Sequence, residues 1–209
     1  MNKYHKINSI FKRDEKTRKF TDEYARPEFE YLKNNIWEFT EKVDGTNIRI
    51  SWDGKEKEIR GRTDKSIIPQ PLLNKLNEMF PNKLLEEVFN QTGAEQSITL
   101  YGEGYGNKIQ AVGKHYIKDD VSFILFDINA SSWWLQRVDV DNIAKQLSIK
   151  SVPVVGYGTL GSAIALAKEG MKSKLGDLDS EGLIAVPRVG LLARNKNRII
   201  TKVKTKDFK

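Results

Sequence analysis

At 209 residues, 39% hydrophobic and 30% charged, the chain is large and apolar enough to bury a core, which excludes wholesale disorder. It has no cysteine and only His5 and His115, which excludes disulfides, thiolate chemistry and histidine-rich metal centres; with no ~20-residue apolar run and no apolar signal core, a soluble cytoplasmic chain is expected. The net charge of +7 is uneven: residues 1–20 carry seven Lys/Arg against two acids and residues 188–209 carry eight against Asp207, leaving −5 between them, which suits a chain that holds a polyanion near carboxylates and a divalent cation.

In chain order, residues 1–35 form a basic arm. Its Lys12, Arg13, Lys16, Arg18 and Lys19 suit either a solvated face or a track along a phosphate backbone. Residues 21–34 read as a turn and a short helix. Strand patterns begin at 36–43. Residues 46–52 alternate, with Ile48, Ile50 and Trp52 on one face and Asn47, Arg49 and Ser51 on the other. Asp53-Gly54 is a hairpin signal, and 56–62 reads as the returning strand. Helical stripes follow at 71–80 and 83–90, then strands at 98–103 and 122–128. Trp133-Trp134 reads as core, loop anchor or a base-stacking pair. A helix at 138–147, a short strand at 152–155 and an alanine-rich helix at 159–168 precede closing strands at 182–187 and 198–204. Hairpins with helices inserted between them give an α+β fold of mixed or antiparallel sheets.

Gly156-Tyr157-Gly158-Thr159-Leu160-Gly161 matches G-x-G-x-x-G, with Asp177 and Asp179 near the place of a ribose-binding acid. The segment before those acids is not strand-like, and only 48 residues follow Gly161, too few for the rest of a doubly wound sheet. The run is expected to be a strand-to-helix turn capped by Thr159 or Ser162.

The chemistry concentrates elsewhere. Lys42 ends a strand one residue before the Asp44-Gly45 turn, and Glu41 precedes it. Glu103 ends an apolar strand between two glycines, and Glu181-Gly182 opens another. Lys202 and Lys204 share one face of an otherwise apolar strand, a face that must meet water or an anion. A free lysine amine can attack an α-phosphate, lysines and a divalent cation can stabilise the charge that gathers there, and carboxylates can hold the metal or ribose hydroxyls. Lys202 and Lys204 would lower the pKa of Lys42, and Asp44 and Glu41 would oppose them.

In this pattern the chain resembles the covalent nucleotidyltransferase superfamily of ligases and capping enzymes, above all ATP-dependent RNA ligases of the T4 RNA ligase 2 type. Lys42-Val43-Asp44-Gly45, extended by Thr46-Asn47, resembles the nucleophile motif, and Arg60-Gly61-Arg62-Thr63 the arginine motif after it. Gly102-Glu103 is similar to the third motif, the 123–128 run to the strand with the adenine-stacking aromatic, Glu181-Gly182 to the fourth, and Lys202-Val203-Lys204 with Phe208 to the fifth. Each motif alone is common; six in order over residues 36–208 are specific.

The resemblance implies a nucleotidyltransferase (adenylation) domain of the ATP-grasp-like ligase type over residues 36–209, with the arm packed on it and no OB-fold or other accessory domain. It implies an RNA ligase that joins 5′-phosphate and 3′-hydroxyl ends through a Lys42–AMP adduct, using ATP and Mg²⁺ or Mn²⁺. By the same resemblance Lys202 and Lys204 would hold the α-phosphate, Arg62 phosphate or ribose, Glu103 the ribose, and Phe126 the adenine. Glu41 would help to recognise adenine, and Glu181, Glu103 and Asn47 would serve the metal. The expected partner is RNA, with a DNA strand in a hybrid as a variant, and the expected state is a monomer. The family's basic residue at the position of Val186 is missing; Arg188, two residues on and so on the same strand face, is expected to replace it. A DNA ligase core, an mRNA-capping guanylyltransferase, a non-catalytic RNA-binding module and a dinucleotide-binding oxidoreductase are the other readings.

Overall fold

The computed structural model describes residues 3–90, 97–131 and 133–209. It divides into two compact units: Met1–Tyr4 with Asp44–Val152, and His5–Val43 with Pro153–Lys209. The chain passes from one to the other after Tyr4, directly after Val43 and again after Val152. Residues 5–35 of the basic arm therefore belong with the C-terminal segment.

The first unit is built on a six-stranded sheet. Its strands are β5 (Thr46–Trp52), β6 (Lys57–Gly61), β7 (Ile98–Gly106), β8 (Val121–Ala130), β9 (Trp133–Trp134) and β10 (Lys150–Ser151), in the order β10-β8-β7-β5-β6 with β9 on β8. Every pairing is antiparallel except β10 on β8. Helices α2 (Gln70–Met79), α3 (Asn82–Phe89) and α5 (Arg137–Gln146) cover one face, and α4 (Gly113–Tyr116) is a single turn. Ile48, Ile50, Trp52, Leu72, Leu76, Phe80, Leu100, Phe123, Leu125 and Ile128 bury the apolar stripe that the alternation of β5 and the helical periods expose to one another.

The second unit holds a five-stranded sheet in the order β1-β13-β12-β4-β11, from β1 (Asn8–Ser9), β4 (Trp37–Glu41), β11 (Val154–Gly158), β12 (Gly182–Pro187) and β13 (Thr201–Lys204). A hairpin of β2 (Phe11–Arg13) and β3 (Phe20–Tyr24) stands beside it, with helices α1 (Pro27–Leu32) and α6 (Leu160–Glu169). Trp37, Phe39, Leu160, Ala163, Ala167, Leu183, Ala185 and Val203 form its core. The small residues of α6 let the helix approach the sheet closely. Thr159 caps α6 by accepting a hydrogen bond from the Ser162 N–H at 3.2 Å.

Several expectations need correction. β11 and β12, joined through α6, both run antiparallel to β4, which lies between them, so they are not the adjacent parallel strands of a doubly wound sheet, and the dinucleotide reading falls. The closing strand is shorter than 198–204 and the expected strand at 152–155 shifts to Val154–Gly158, because backbone pairing and not apolar content sets a strand's end. Residues 21–34 contribute strand β3 as well as a helix. Arg49, on the face opposite Ile48 and Ile50, is fully buried.

Candidate active site

Period-2 alternation sorts the residues of the second unit's sheet. Trp37, Phe39 and Glu41 point one way, into the core; Glu38, Thr40 and Lys42 point the other. The register extends this across the sheet. The Lys42 N–H donates to the Gly182 carbonyl at 2.9 Å, and Gly182 pairs with Lys204, so Lys42, Gly182 and Lys204 form one row. Thr40, Ile184 and Lys202 form the next. The centre of the first row carries no side chain, which leaves space between two lysines.

Glu181 closes that row. Its two carboxylate oxygens accept from Lys42 Nζ and Lys204 Nζ respectively, and the three side chains are about a fifth or less exposed. Burial pushes the Glu181 carboxyl up, but the ammonium groups of Lys42 and Lys204 outweigh it and hold it below the ordinary glutamate range. The Lys202 ammonium is pushed below the ordinary lysine range by burial first, then by Lys204 and Lys42. Three lysines around one carboxylate leave an uncompensated positive patch, which is a site for an anion.

Glu41 is turned away from this face. It is 1% exposed, and accepts hydrogen bonds from Ser173 Oγ at 2.5 Å and the Lys174 N–H at 2.9 Å. The carboxylate set against Lys42 is thus Glu181; Glu41 holds the segment that leads to it. The sequence offered one signal for this: neighbours along a strand face opposite sides.

In the first unit, Asn47 on β5 pairs with Glu103 on β7, and Glu103 with Ile124 on β8, so all three share a face opposite the core. Asn47 Oδ1 is buried without a hydrogen-bond partner. Gly45 lies so close to this pair that a Cβ there would meet the Gly104 carbonyl and, at 2.7 Å, Glu103 Cγ. On the next row, Arg49 pairs with Tyr101 and Tyr101 with Asp127. The Arg49 guanidinium donates to the Gly61 carbonyl and to Asp64 Oδ1, both at 2.8 Å, and so pins the turn that carries exposed Arg62. Phe126 falls at the register irregularity between β7 and β8, with its ring centroid 5.0 Å from that of Tyr4. Tyr4 also packs on Tyr101 and Trp134 and donates to Asp127 Oδ2 at 2.6 Å. Tyr4, Arg49 and Ser173 were not singled out in the sequence. Arg49 alone carried a signal, since it lies two residues from Asn47 on the same strand face.

The structure thus brings Lys42, Glu181, Lys202 and Lys204 together in one unit and Asn47 and Glu103 together in the other. Among the described residues, no group of three or more His, Cys, Asp and Glu could hold a metal ion, and no helix is long and apolar enough to cross a membrane.

The strand end at Lys42 thus sets a lysine against a carboxylate and a pair of further lysines. The model of the RNA ligase family matches residues 35–204, and the chain belongs to that family. No curated protein matches it by sequence. Solved structures of the Naegleria gruberi RNA ligase share the fold. One with PPi superposes with a TM-score of 0.66 at 20% identity over 87% of this chain. A mutant with ATP and Mn, and another with AMP and Mn, each give 0.65 at 19% identity over 87%. The chain spans about half of those proteins, 52–53% of their length.

Proposed function

We propose that the chain is the adenylation core of an ATP-dependent RNA ligase, with Lys42 as the residue that carries AMP. The observation that carries this reading is the row Lys42–Gly182–Lys204 with Glu181 bridging its two lysines. In the first step the Lys42 Nζ lone pair forms a bond to the α-phosphorus of ATP. The bond from that phosphorus to the bridging oxygen breaks, pyrophosphate leaves with the electron pair, and Nζ gives up a proton. The AMP then passes to a 5′-phosphate of RNA, and a 3′-hydroxyl displaces it to form the phosphodiester.

Lys42 Nζ is held by Glu181, so the incoming nucleotide must loosen that contact, and Nζ must pass a proton to solvent to free its lone pair, before attack. Lys202 and Lys204 meet the charge on the α-phosphate. Glu103 and Arg62 are assigned to ribose and phosphate, and Phe126 to the base. Glu41 serves by holding Ser173 and Lys174. Arg188 lies a further row from Lys42 than Val186, so it is not assigned to the nucleotide in place of the missing cation.

A hard divalent cation, Mg²⁺ or Mn²⁺, fits the oxygens present. Asn47 Oδ1 is orphaned beside Glu103, and such an ion takes one or two protein oxygens and completes its shell with water and phosphate. Asn47 and Glu103 would hold it. When bound, it would neutralise phosphate charge. The protein is assigned to the cytoplasm as a monomer, with RNA or an RNA–DNA hybrid as its partner.

The test is the intact mass of the protein, stripped of bound nucleotide, after incubation with ATP or GTP and Mg²⁺. Wild type gains one adenylate from ATP and none from GTP. Lys42→Ala gains nothing. A folded wild type that takes no AMP sinks the reading; a gain from GTP alone makes it a capping enzyme.

A further inference from the structure

We infer that Tyr157 and Arg188 form a contact for a single-stranded stretch of RNA, the Tyr157 ring stacking on a base and the Arg188 guanidinium meeting the adjoining phosphate. The ligase reading is used here only to choose RNA as the strand.

The contact explains the glycine-rich run that is not a dinucleotide loop. In β11, Gly156 pairs with Phe39 and Gly158 with Trp37, so both glycines lie on the core face. A Cβ on either would sit within 3.7 Å of the Phe39 ring. Tyr157, between them, pairs with Glu38 and points to the opposite face. Glu38 pairs in turn with Val186 on β12. Tyr157, Glu38 and Val186 are therefore the third row on the face whose first two rows hold Lys42, Lys204 and Lys202. Rows two residues apart are roughly 7 Å apart, so Tyr157 lies roughly 14 Å along the sheet from Lys42. That is beyond the reach of the nucleotide's own phosphate at Lys42.

The Arg188 N–H donates to the Ile36 carbonyl at 3.0 Å, which continues the β12 ladder past Pro187 and keeps Arg188 on the face of Val186. Its guanidinium carbon lies 5.6 Å from the Tyr157 ring centroid. Tyr157 nevertheless remains 56% exposed. An aromatic left in water with a cation at its side is the arrangement that binds single-stranded nucleic acid, since every base has a π-face and every nucleotide a phosphate. The charge agrees. Residues 182–206 carry seven Lys/Arg and no acid. Glu38 is the carboxylate on the row. An apolar protein partner would bury those cations unpaired; a polyanion pairs them.

The experiment measures the affinity of a fluorescent single-stranded RNA 12-mer for wild type, Tyr157→Ala, Tyr157→Phe and Arg188→Ala over a salt series. Tyr157→Ala weakens binding roughly tenfold with the salt slope unchanged, as expected for lost stacking, and Tyr157→Phe restores it to within about twofold. Arg188→Ala lowers the slope by about one. The exposed positions of Tyr157 and Arg188 keep each of these variants folded. Equal binding by wild type and Tyr157→Ala overturns the contact and leaves this face to a protein. A Tyr157→Phe loss as large as that of alanine also overturns it. Uptake of AMP, measured on the same wild-type protein, reports the ligase reading separately: binding of RNA without adenylylation sinks that reading and leaves the contact standing.

Discussion

Glu181 is the residue on which the lysine cluster balances. Its carboxyl is pushed up by burial and brought below its ordinary value of 4.5 by Lys42 and Lys204 together. A folded-state value below the unfolded one adds stability that is present above the unfolded value and lost as pH falls through the folded one. Glu181→Gln leaves the lysines to repel one another. It is expected to destabilise the protein by about 1–2 kcal/mol at neutral pH, less than a wholly buried pair because the group is partly exposed. In urea melts across a pH series, the gap between wild type and Glu181→Gln narrows as pH falls below about 4. A gap that stays constant places the effect in packing instead. Much of this site could be read from the sequence, because Lys42, Glu181, Lys202 and Lys204 each stand in a spaced motif. The direction of Glu41 could not be read from the motif, although strand alternation contains it: if Lys42 faces the anion, Glu41 faces the core. Nothing in the composition distinguishes Tyr4 or Ser173 from any other hydroxyl, since their partners Asp127 and Glu41 are more than 120 residues away.

At the scale of elements, the strand β12 shows why its opening residue is glycine. Gly182 has φ +147°, and a Cβ there would meet the Val203 carbonyl and, at 2.7 Å, Lys204 Cα. The collision is with the backbone of β13, which a side-chain rotation cannot relieve. Gly182→Ala therefore forces β12 from β13 at the point where Glu181 bridges Lys42 and Lys204. The expected cost is about 1–3 kcal/mol, with a fall in adenylate yield larger than the loss of folded protein explains. Thermal melts beside intact masses check it; a variant as stable and active as wild type would show that the strands separate freely here. The central strands were legible because alternation marks half-buried sheet: the patterns at 46–52 and 182–187 are β5 and β12. The edge elements were not. β1 is two residues long and is defined by its partner β13 rather than by its own sequence, as β10 is by β8.

On the scale of the whole chain, the charge and the folding units coincide. The unit of Met1–Tyr4 with Asp44–Val152 carries 15 Lys/Arg against 15 Asp/Glu; the unit of His5–Val43 with Pro153–Lys209 carries 20 against 13. The whole +7 thus sits in the second, and the basic arm adds little, since Asp22, Glu23, Glu28 and Glu30 follow its lysines. Sequence ends alone suggested a basic skin at both termini; only the pairing of β4 between β11 and β12 shows that the two ends build one unit. The units also differ in continuity. Residues 44–152 carry a complete sheet and its core in one stretch, whereas β11, β12 and β13 need β4 from the other end of the chain. A fragment of residues 44–152 is therefore expected to unfold cooperatively in urea, less stably than in the full chain because the contacts of Tyr4 with Tyr101, Phe126 and Asp127 are gone. With 14 Lys/Arg against 15 Asp/Glu, a net charge of −1, it should bind RNA at least tenfold more weakly than the full chain at roughly 50 mM salt, and with a much shallower salt dependence. RNA affinity equal to that of the full chain would place the polyanion surface on this unit's exposed lysines, Lys108, Lys114 and Lys118, and sink the charge argument.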